Sequence, residues 1–446
     1  LMEEILFSNN INSKEQNLSS LAELNKKLKT FRFPKPDWPS IFPTPDEILK
    51  LTKPSEQFLN FRVNAENNVI ELFSFSSSGI EMFVIENANK VEKETYSLLN
   101  KISNLDADYV QEARYLFKIL LKPYLKASTD KILISADKYI YKIPFDALVV
   151  DETELVKESN VDNKDIKIKA RGLSSPKIRD KESKPVLYLA EQYQVSLVTT
   201  LNNNKPSKKE LRSYDFVGIG NPNISGTTNI KDKKFNEYQI SLTSKKRSVS
   251  NLSPLPGTEN ELKSIAENKL FNKSKLYLKN DATEENVFRS KELTEASVIS
   301  FATHGLLGGH IDDYSEPGLV LTPVIETERS NDGFLSMTEV LNLRLNSEIV
   351  ILSACDTGGS RSSFSPPFSG LASAFLTAGS EKVIVSLWQV DDEATSILMK
   401  ILIEERNNHK DWSRAKSASI SRFLAEYPQY SHPYFWSPFT LFSSFL

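Results

Sequence analysis

An α/β fold built on a mostly parallel sheet is predicted by three features of this 446-residue chain. Four short runs are apolar without alternating: Asp215–Gly220, Ser297–Phe301, Ile349–Ser353 and Lys382–Leu387. Segments of helical character separate them, at Glu259–Ala266, Thr283–Ser290, Met337–Leu341 and Leu371–Ala378. No repeat recurs at a period of about 20–50 residues, which argues against a solenoid. Strands buried on both faces and alternating with helices are the pattern of a parallel sheet covered on both sides.

The remaining elements follow in chain order. Leu1 to Lys29 is polar with spaced leucines and reads as one or two amphipathic helices. Pro34, Pro36, Pro39, Pro43 and Pro45 then rule out regular helix and predict an extended linker. Phe58–Val63, Val69–Phe73 and Glu81–Ile85 form a small meander of strands. Val91–Leu125 is helical with a break near Asp106, Lys131–Ser135 is a strand, and Leu187–Leu189 is a candidate for another. Residues 156–185 and 222–254 are rich in Lys, Asp, Ser, Asn and Thr, lack apolar periodicity and are expected to be loops.

Composition limits the functions available. Hydrophobic residues make up 39% and charged residues 25%, enough to bury a sizeable core. The net charge of −3, from 55 basic and 58 acidic residues, offers no electrostatic footprint for direct binding of nucleic acid. No apolar run approaches the ~18 residues that would cross a membrane, and the acidic opening Leu1-Met2-Glu3-Glu4 is no signal peptide. A start at Leu rather than Met leads to the expectation of further sequence upstream. The single cysteine, Cys355, makes a disulfide within the chain impossible, which fits a cytoplasmic location. With four histidines beside it, it cannot build a Cys-rich zinc site, so no metal and no other cofactor is expected.

That cysteine ends one of the apolar runs. In open α/β sheets reactive groups collect beyond the carboxyl ends of strands. One run continues as Ser300-Phe301-Ala302-Thr303-His304-Gly305, another as Ile351-Leu352-Ser353-Ala354-Cys355-Asp356-Thr357-Gly358. The thiolate, not the thiol, is the nucleophile. An imidazole with an ordinary pKa near 6.5 is suited to take that proton and to return one to a leaving amine. Gly305 lets the backbone approach a substrate carbonyl, and its N–H with that of Cys355 would make an oxyanion hole. The plainer reading is a buried structural Cys and a hydrogen-bonded His at two strand ends. The joint pattern, both residues closely followed by Gly, favours chemistry.

These blocks resemble the CHAT domain, a caspase-like peptidase family related to separases and usually fused to tetratricopeptide repeats. Ala302-Thr303-His304-Gly305 is similar to its ATHG block and Leu352–Gly358 to its LSAC(N/D)TG block. Ser386–Thr395 is similar to its SLWxVDDxAT block. Ile143–Leu148, Leu255–Glu261 and His432–Phe439 match in the same order, so the resemblance covers about residues 55–446. Caspases likewise place their His about 50 residues before the Cys; here 355 − 304 = 51.

The resemblance implies a three-layer caspase-like sandwich in two lobes. Residues 1–54 would be a helical segment and Pro-rich linker, 55–200 a pseudo-caspase lobe, and 201–446 the active lobe. It implies a cysteine endopeptidase with His304 as general base and acid and Cys355 as nucleophile. It also implies a protein substrate, a regulatory partner or upstream repeat region, and a place in bacterial (antiviral) defence or cell-death signalling. Ser360–Phe368 and His310–Asp332 depart from the family pattern near the cleft. The alternatives are a catalytically silent adaptor on the same fold and a hydrolase of small amides or esters.

Three acidic or aromatic residues are candidates for a substrate pocket: Asp391, Asp392 and Trp388. By its place in the Trp388–Asp392 block, Asp392 resembles the acidic residue by which separases select Arg. Both aspartates also suit the N-terminus of a helix beginning near Glu393, where carboxylates cap free N–H groups. Asp356 is expected to cap a turn rather than orient His304. His310 is expected to be a solvated loop histidine, and His432 to pack in an aromatic cluster with Tyr434, Phe435 and Trp436.

Overall fold

The computed structural model describes residues 48–50, 52–150, 186–200, 212–224, 252, 254–306, 316–324, 332–353, 355–356, 367–388 and 391–444. The expected helices before Lys29, the proline linker, the 156–185 loop and His310 lie outside these residues. In chain order the first strands are β1 (Glu56–Asn64), β2 (Val69–Ser76), β3 (Gly79–Glu86), β4 (Lys131–Ser135), β5 (Gln194–Thr200), β6 (Tyr214–Pro222) and β7 (Ser274–Lys279). Then come β8 (Ala296–Ala302), β9 (His304–Leu306), β10 (Gly318–Val320), β11 (Phe334–Ser336), β12 (Ile349–Leu352), β13 (Cys355–Asp356), β14 (Lys382–Ser386) and β15 (Phe439–Ser444). The principal helices are α1 (Ala88–Ser103), α2 (Val110–Leu120), α3 (Pro256–Ala266), α4 (Glu284–Arg289), α5 (Met337–Val340), α6 (Pro367–Thr377), α7 (Asp392–His409) and α8 (Trp412–Glu426).

Eleven strands make one sheet in the order β3-β2-β1-β4-β5-β15-β14-β12-β8-β6-β7. Strands β1, β4, β5 and β15 run parallel to one another. The strands β14, β12, β8, β6 and β7 are also mutually parallel. The two sets oppose each other, because β14 and β15 are antiparallel. The strand ends of the second half therefore all open on one edge of the sheet. All four residues of β12 are fully buried, so helices and loops cover both faces there. The expected α/β architecture with a large, mostly parallel sheet is the one found.

Local chemistry explains the elements. Val91, Thr95, Leu98, Leu99 and Ile102 fall at helical spacing and form the buried face of α1. Leu105 takes a left-handed φ of 57°, and the Asp106 side chain then accepts the Asp108 N–H to open the next turn. The expected break near Asp106 is thus a cap. The apolar triplet Leu187–Leu189, expected as a strand, is not one. Tyr188 makes a single bridge to Val149, Leu189–Gln192 is a helical turn, and the strand is the following β5. Three apolar residues are too few for periodicity to separate turn from strand.

The two halves are joined by β15 and by α8. The last strand pairs with β14 on one side and β5 on the other. On α8, Lys416 forms an ion pair with Asp146 of the Ile143–Leu148 block, both side chains nearly inaccessible. The His432–Phe439 block also bridges. Tyr109 and Tyr188 pack edge-on against His432 and Trp436, with ring centroids 4.9 and 4.8 Å apart. His432 Nδ1 accepts the Tyr434 N–H, which leaves Nε2 to donate to the Asp106 carbonyl 3.1 Å away. His432 is expected among the rings of Tyr434, Phe435 and Trp436, and the ring it meets edge-on is that of Tyr109.

Removing one partner of a buried ion pair strands the other charge. Asp146→Ala is expected to destabilise the fold by about 3–5 kcal/mol, and the double change Asp146→Leu with Lys416→Met to recover most of that loss. Urea denaturation of the variants measures both.

Candidate active site

The site is built where two neighbouring parallel strands leave the large sheet together. Strands β8 and β12 pair with Ile349 opposite Val298 and Leu352 opposite Phe301, and Ser353 N continues the ladder to Phe301 O at 3.0 Å. Beyond that edge the chains pair again, with Cys355 opposite His304 and Asp356 opposite Gly305. The offset is the same on both sides of the break, since 349 − 298 = 51 and 355 − 304 = 51. The sequence spacing of the candidate dyad is therefore the register of the two strands. The second pairing belongs to a four-stranded sheet of order β11-β10-β9-β13.

Each residue of the His block has a structural task. Ala302 is fully buried beside β6, where a Cβ on Gly220 would lie 2.6 Å from the Ala302 carbonyl oxygen. Gly220 is what lets β6 and β8 come this close. Thr303, also buried, donates its hydroxyl to the Val320 carbonyl and ties the step between β8 and β9 to β10. His304 is 2% exposed. Gly305 lies between Asp356 on one side and Leu319 on the other. Leu306, Val320 and Phe334 form a separate apolar cluster under this small sheet.

Two buried carboxyls support the site from below. Glu284, 1% exposed at the start of α4, accepts the Gly333 N–H at 2.6 Å and so holds the strand β11 in place. Burial pushes its carboxyl up to about 8. Glu261, on α3, accepts the Ser353 hydroxyl at 2.9 Å, two residues before Cys355. Burial raises the Glu261 carboxyl to about 7, the Ser353 hydrogen bond opposes the rise, and the charge of Asp392 adds to it. Glu259 is the opposite case, drawn down to about 2 by bonds from Lys263, Asn221 and Lys279.

The candidate pocket residues separate by role. Asp391 is the N-cap of α7, its Oδ1 accepting the N–H groups of Glu393 and Ala394 at 3.0 Å each. Asp392 is exposed, in the first turn of α7. Its carboxylate lies against α3, where a Cβ on Gly257 would come within 2.7 Å of Oδ2. Trp388 is buried in the main core, and its indole N–H donates to the Tyr434 carbonyl at 3.1 Å. Ser386 Oγ donates to the Trp388 carbonyl at 2.8 Å. Gly257, Glu261 and Ser353 were assigned no role by the sequence, although all lie in the matching blocks; the signal was the four-residue spacing of Gly257 and Glu261 on one helix face. Among the described residues, no group of three or more His, Cys, Asp or Glu side chains is arranged to hold a metal ion, and no helix is long and apolar enough to cross a membrane.

A large, mostly parallel sheet, with a His and a Cys in one register at its strand ends, places the chain in the mixed α/β class. Within it, the chain belongs to the CHAT domain family, whose model matches residues 110–444. No curated protein matches the chain. Among solved structures, the chain is similar to the yeast Saccharomyces cerevisiae separase–securin complex, with a TM-score of 0.41 and 10% identity over 90% of this chain. It spans 30% of that separase chain. It is also similar to the Arg-specific cysteine proteinase gingipain R, with a TM-score of 0.35 and 11% identity over 80% of this chain and 75% of that one. The complex of the Porphyromonas gingivalis gingipain pro- and mature domains gives a TM-score of 0.37 and 11% identity, over 80% and 76%.

Loss of an N-cap carboxylate typically costs about 1 kcal/mol. Asp391→Ala is expected to lower the melting temperature by about one to two degrees, as followed by circular dichroism, while any cleavage-site preference stays unchanged.

Proposed function

We propose that this chain is a cysteine endopeptidase with His304 and Cys355 as its dyad. The observation that carries the reading is the parallel pairing of Cys355 with His304 just beyond the edge of the large sheet. In the proposed reaction His304 takes the proton of the Cys355 thiol, and the sulfur attacks the scissile carbonyl carbon. The N–H groups of Gly305 and Cys355 are assigned to the oxyanion of the tetrahedral intermediate. The imidazolium returns its proton to the leaving amine as the C–N bond breaks, leaving a thioester on Cys355. His304 then deprotonates water, which attacks the thioester, and the acid product leaves as the thiol is restored.

For the pocket, Asp392 stands in the exposed first turn of α7, with its carboxylate against Gly257 of α3, at the place in the Trp388–Asp392 block that resembles the Arg-selecting acidic residue of separases. A preference for a basic residue before the cleaved bond follows, because a cationic side chain pairs well with a carboxylate at a partly desolvated surface. The proposal extends to control by a regulatory partner or an upstream repeat region.

Cys355→Ala is expected to abolish cleavage, and His304→Ala to lower kcat by about 10²–10⁴-fold; mass-spectrometric mapping of cuts in a proteome digest measures both. Full activity in Cys355→Ala would overturn the reading. In the same digest Asp392→Ala is expected to lose cuts after Arg and Lys while sparing others, whereas an unchanged preference would remove Asp392 from the pocket.

A further inference from the structure

Three elements converge on one buried carboxyl below the site. Glu261 lies one helical turn after Gly257 on α3, so the two share a face. Asp392, from α7, lies against Gly257 on that face. From the sheet side, the Ser353 hydroxyl at the end of β12 binds Glu261 Oε1 at 2.9 Å. Glu261 is 5% exposed, and Asp392 is exposed. The lysines near this helix turn, Lys263 and Lys279, pair with Glu259 instead. Among the described residues, Asp392 is a charge that acts on Glu261 and raises its carboxyl.

We propose that Glu261 is a positioning residue that couples the charge of a substrate side chain at Asp392 to the strand carrying Cys355. The inference rests on the basic-residue reading of Asp392 given above. Two carboxylates on facing helix turns repel, so an empty pocket favours the protonated Glu261. A cationic side chain beside Asp392 offsets the repulsion and favours the ionised form, which binds the Ser353 hydroxyl more strongly. Linkage makes the effect reciprocal: substrate binding releases a proton from Glu261, and an ionised Glu261 strengthens binding of the basic substrate. Burial and Asp392 place this ionisation at about 7. Glu261 is neutral below that pH and charged above it, so the affinity for a basic substrate rises as pH rises through it.

The test uses two peptides that differ only by Arg or Leu before the scissile bond, with kcat and KM measured from about pH 6 to about pH 8. In the native protein the KM for the Arg peptide is expected to fall on the order of fivefold across this range, and that for the Leu peptide to stay level. Glu261→Gln keeps an acceptor for Ser353 but cannot ionise, so its KM for the Arg peptide is expected to be level too. Ser353→Ala removes the donor that favours the carboxylate, so the fall in KM is expected to move to higher pH. A fall in KM that persists in Glu261→Gln, or that stays in place in Ser353→Ala, overturns the inference; if Glu261→Gln does not fold, the Ser353→Ala profile decides. A merely structural Glu261 would change kcat or the folded fraction and leave the KM profile unaltered. Failure of the underlying reading looks different: no Cys355-dependent cleavage, or no loss of Arg preference in Asp392→Ala.

Discussion

Parallel strands buried on both faces have little freedom in how they pair. Sliding one by a single residue would turn its side chains to the opposite face, and in β8 and β12 both faces are packed. Val298, Ile299 and Phe301 are almost wholly inaccessible, and every residue of β12 is fully so. The core thus fixes an offset of 51 residues between the two strands, and that offset persists where they pair again as β9 and β13. His304 and Cys355 are brought together by apolar packing that lies below them. The pair needs no bond of its own to set its register.

The surroundings of the pair serve the same constraint. Gly220 admits β6 close to Ala302, Thr303 pins the exit of β8 to β10, and Glu284 holds the Gly333 end of β11. On the Cys side, Ser353 is held both by the Phe301 carbonyl and by Glu261. Sites that depend on placement within fractions of an ångström are usually mounted on such rigid elements with a supporting shell of hydrogen bonds. The outer matching blocks act further away. Ile143–Leu148 and His432–Phe439 carry the Asp146–Lys416 pair and the aromatic contacts that join the two halves of the sheet, so their side chains belong to architecture.

Much of this was legible in the sequence. The apolar runs at 215–220, 297–301, 349–353 and 382–387 became β6, β8, β12 and β14 because doubly buried strands need no alternation to be recognised. The catalytic candidates stood out because a lone Cys and a His ended two of those runs. The small sheet did not stand out. Its strands are two or three residues long, shorter than any period, and it exists only because β8 and β12 have already been brought side by side. β7, at the edge of the large sheet, was also missed. So was α8, whose buried face includes Ser413, Lys416 and Ser419 and therefore shows little contrast with its polar side. Asp391 and Asp392 look equivalent in sequence and differ in the fold, one binding two amides and the other lying against a glycine of a facing helix.

Strand register sets His304 opposite the one thiol of the chain. Because Cys355 is the single cysteine, alkylation by iodoacetamide reports on it alone. The rate should be measured against pH in the native protein and in His304→Ala, with an unfolded control. An ordinary thiol, with a pKa near 8.5, reacts slowly at about pH 6. The expectation is that Cys355 in the native protein stays reactive at about pH 6 and that His304→Ala reduces it to ordinary thiol behaviour. Superimposable profiles for the two proteins, both following an ordinary thiol, would contradict it.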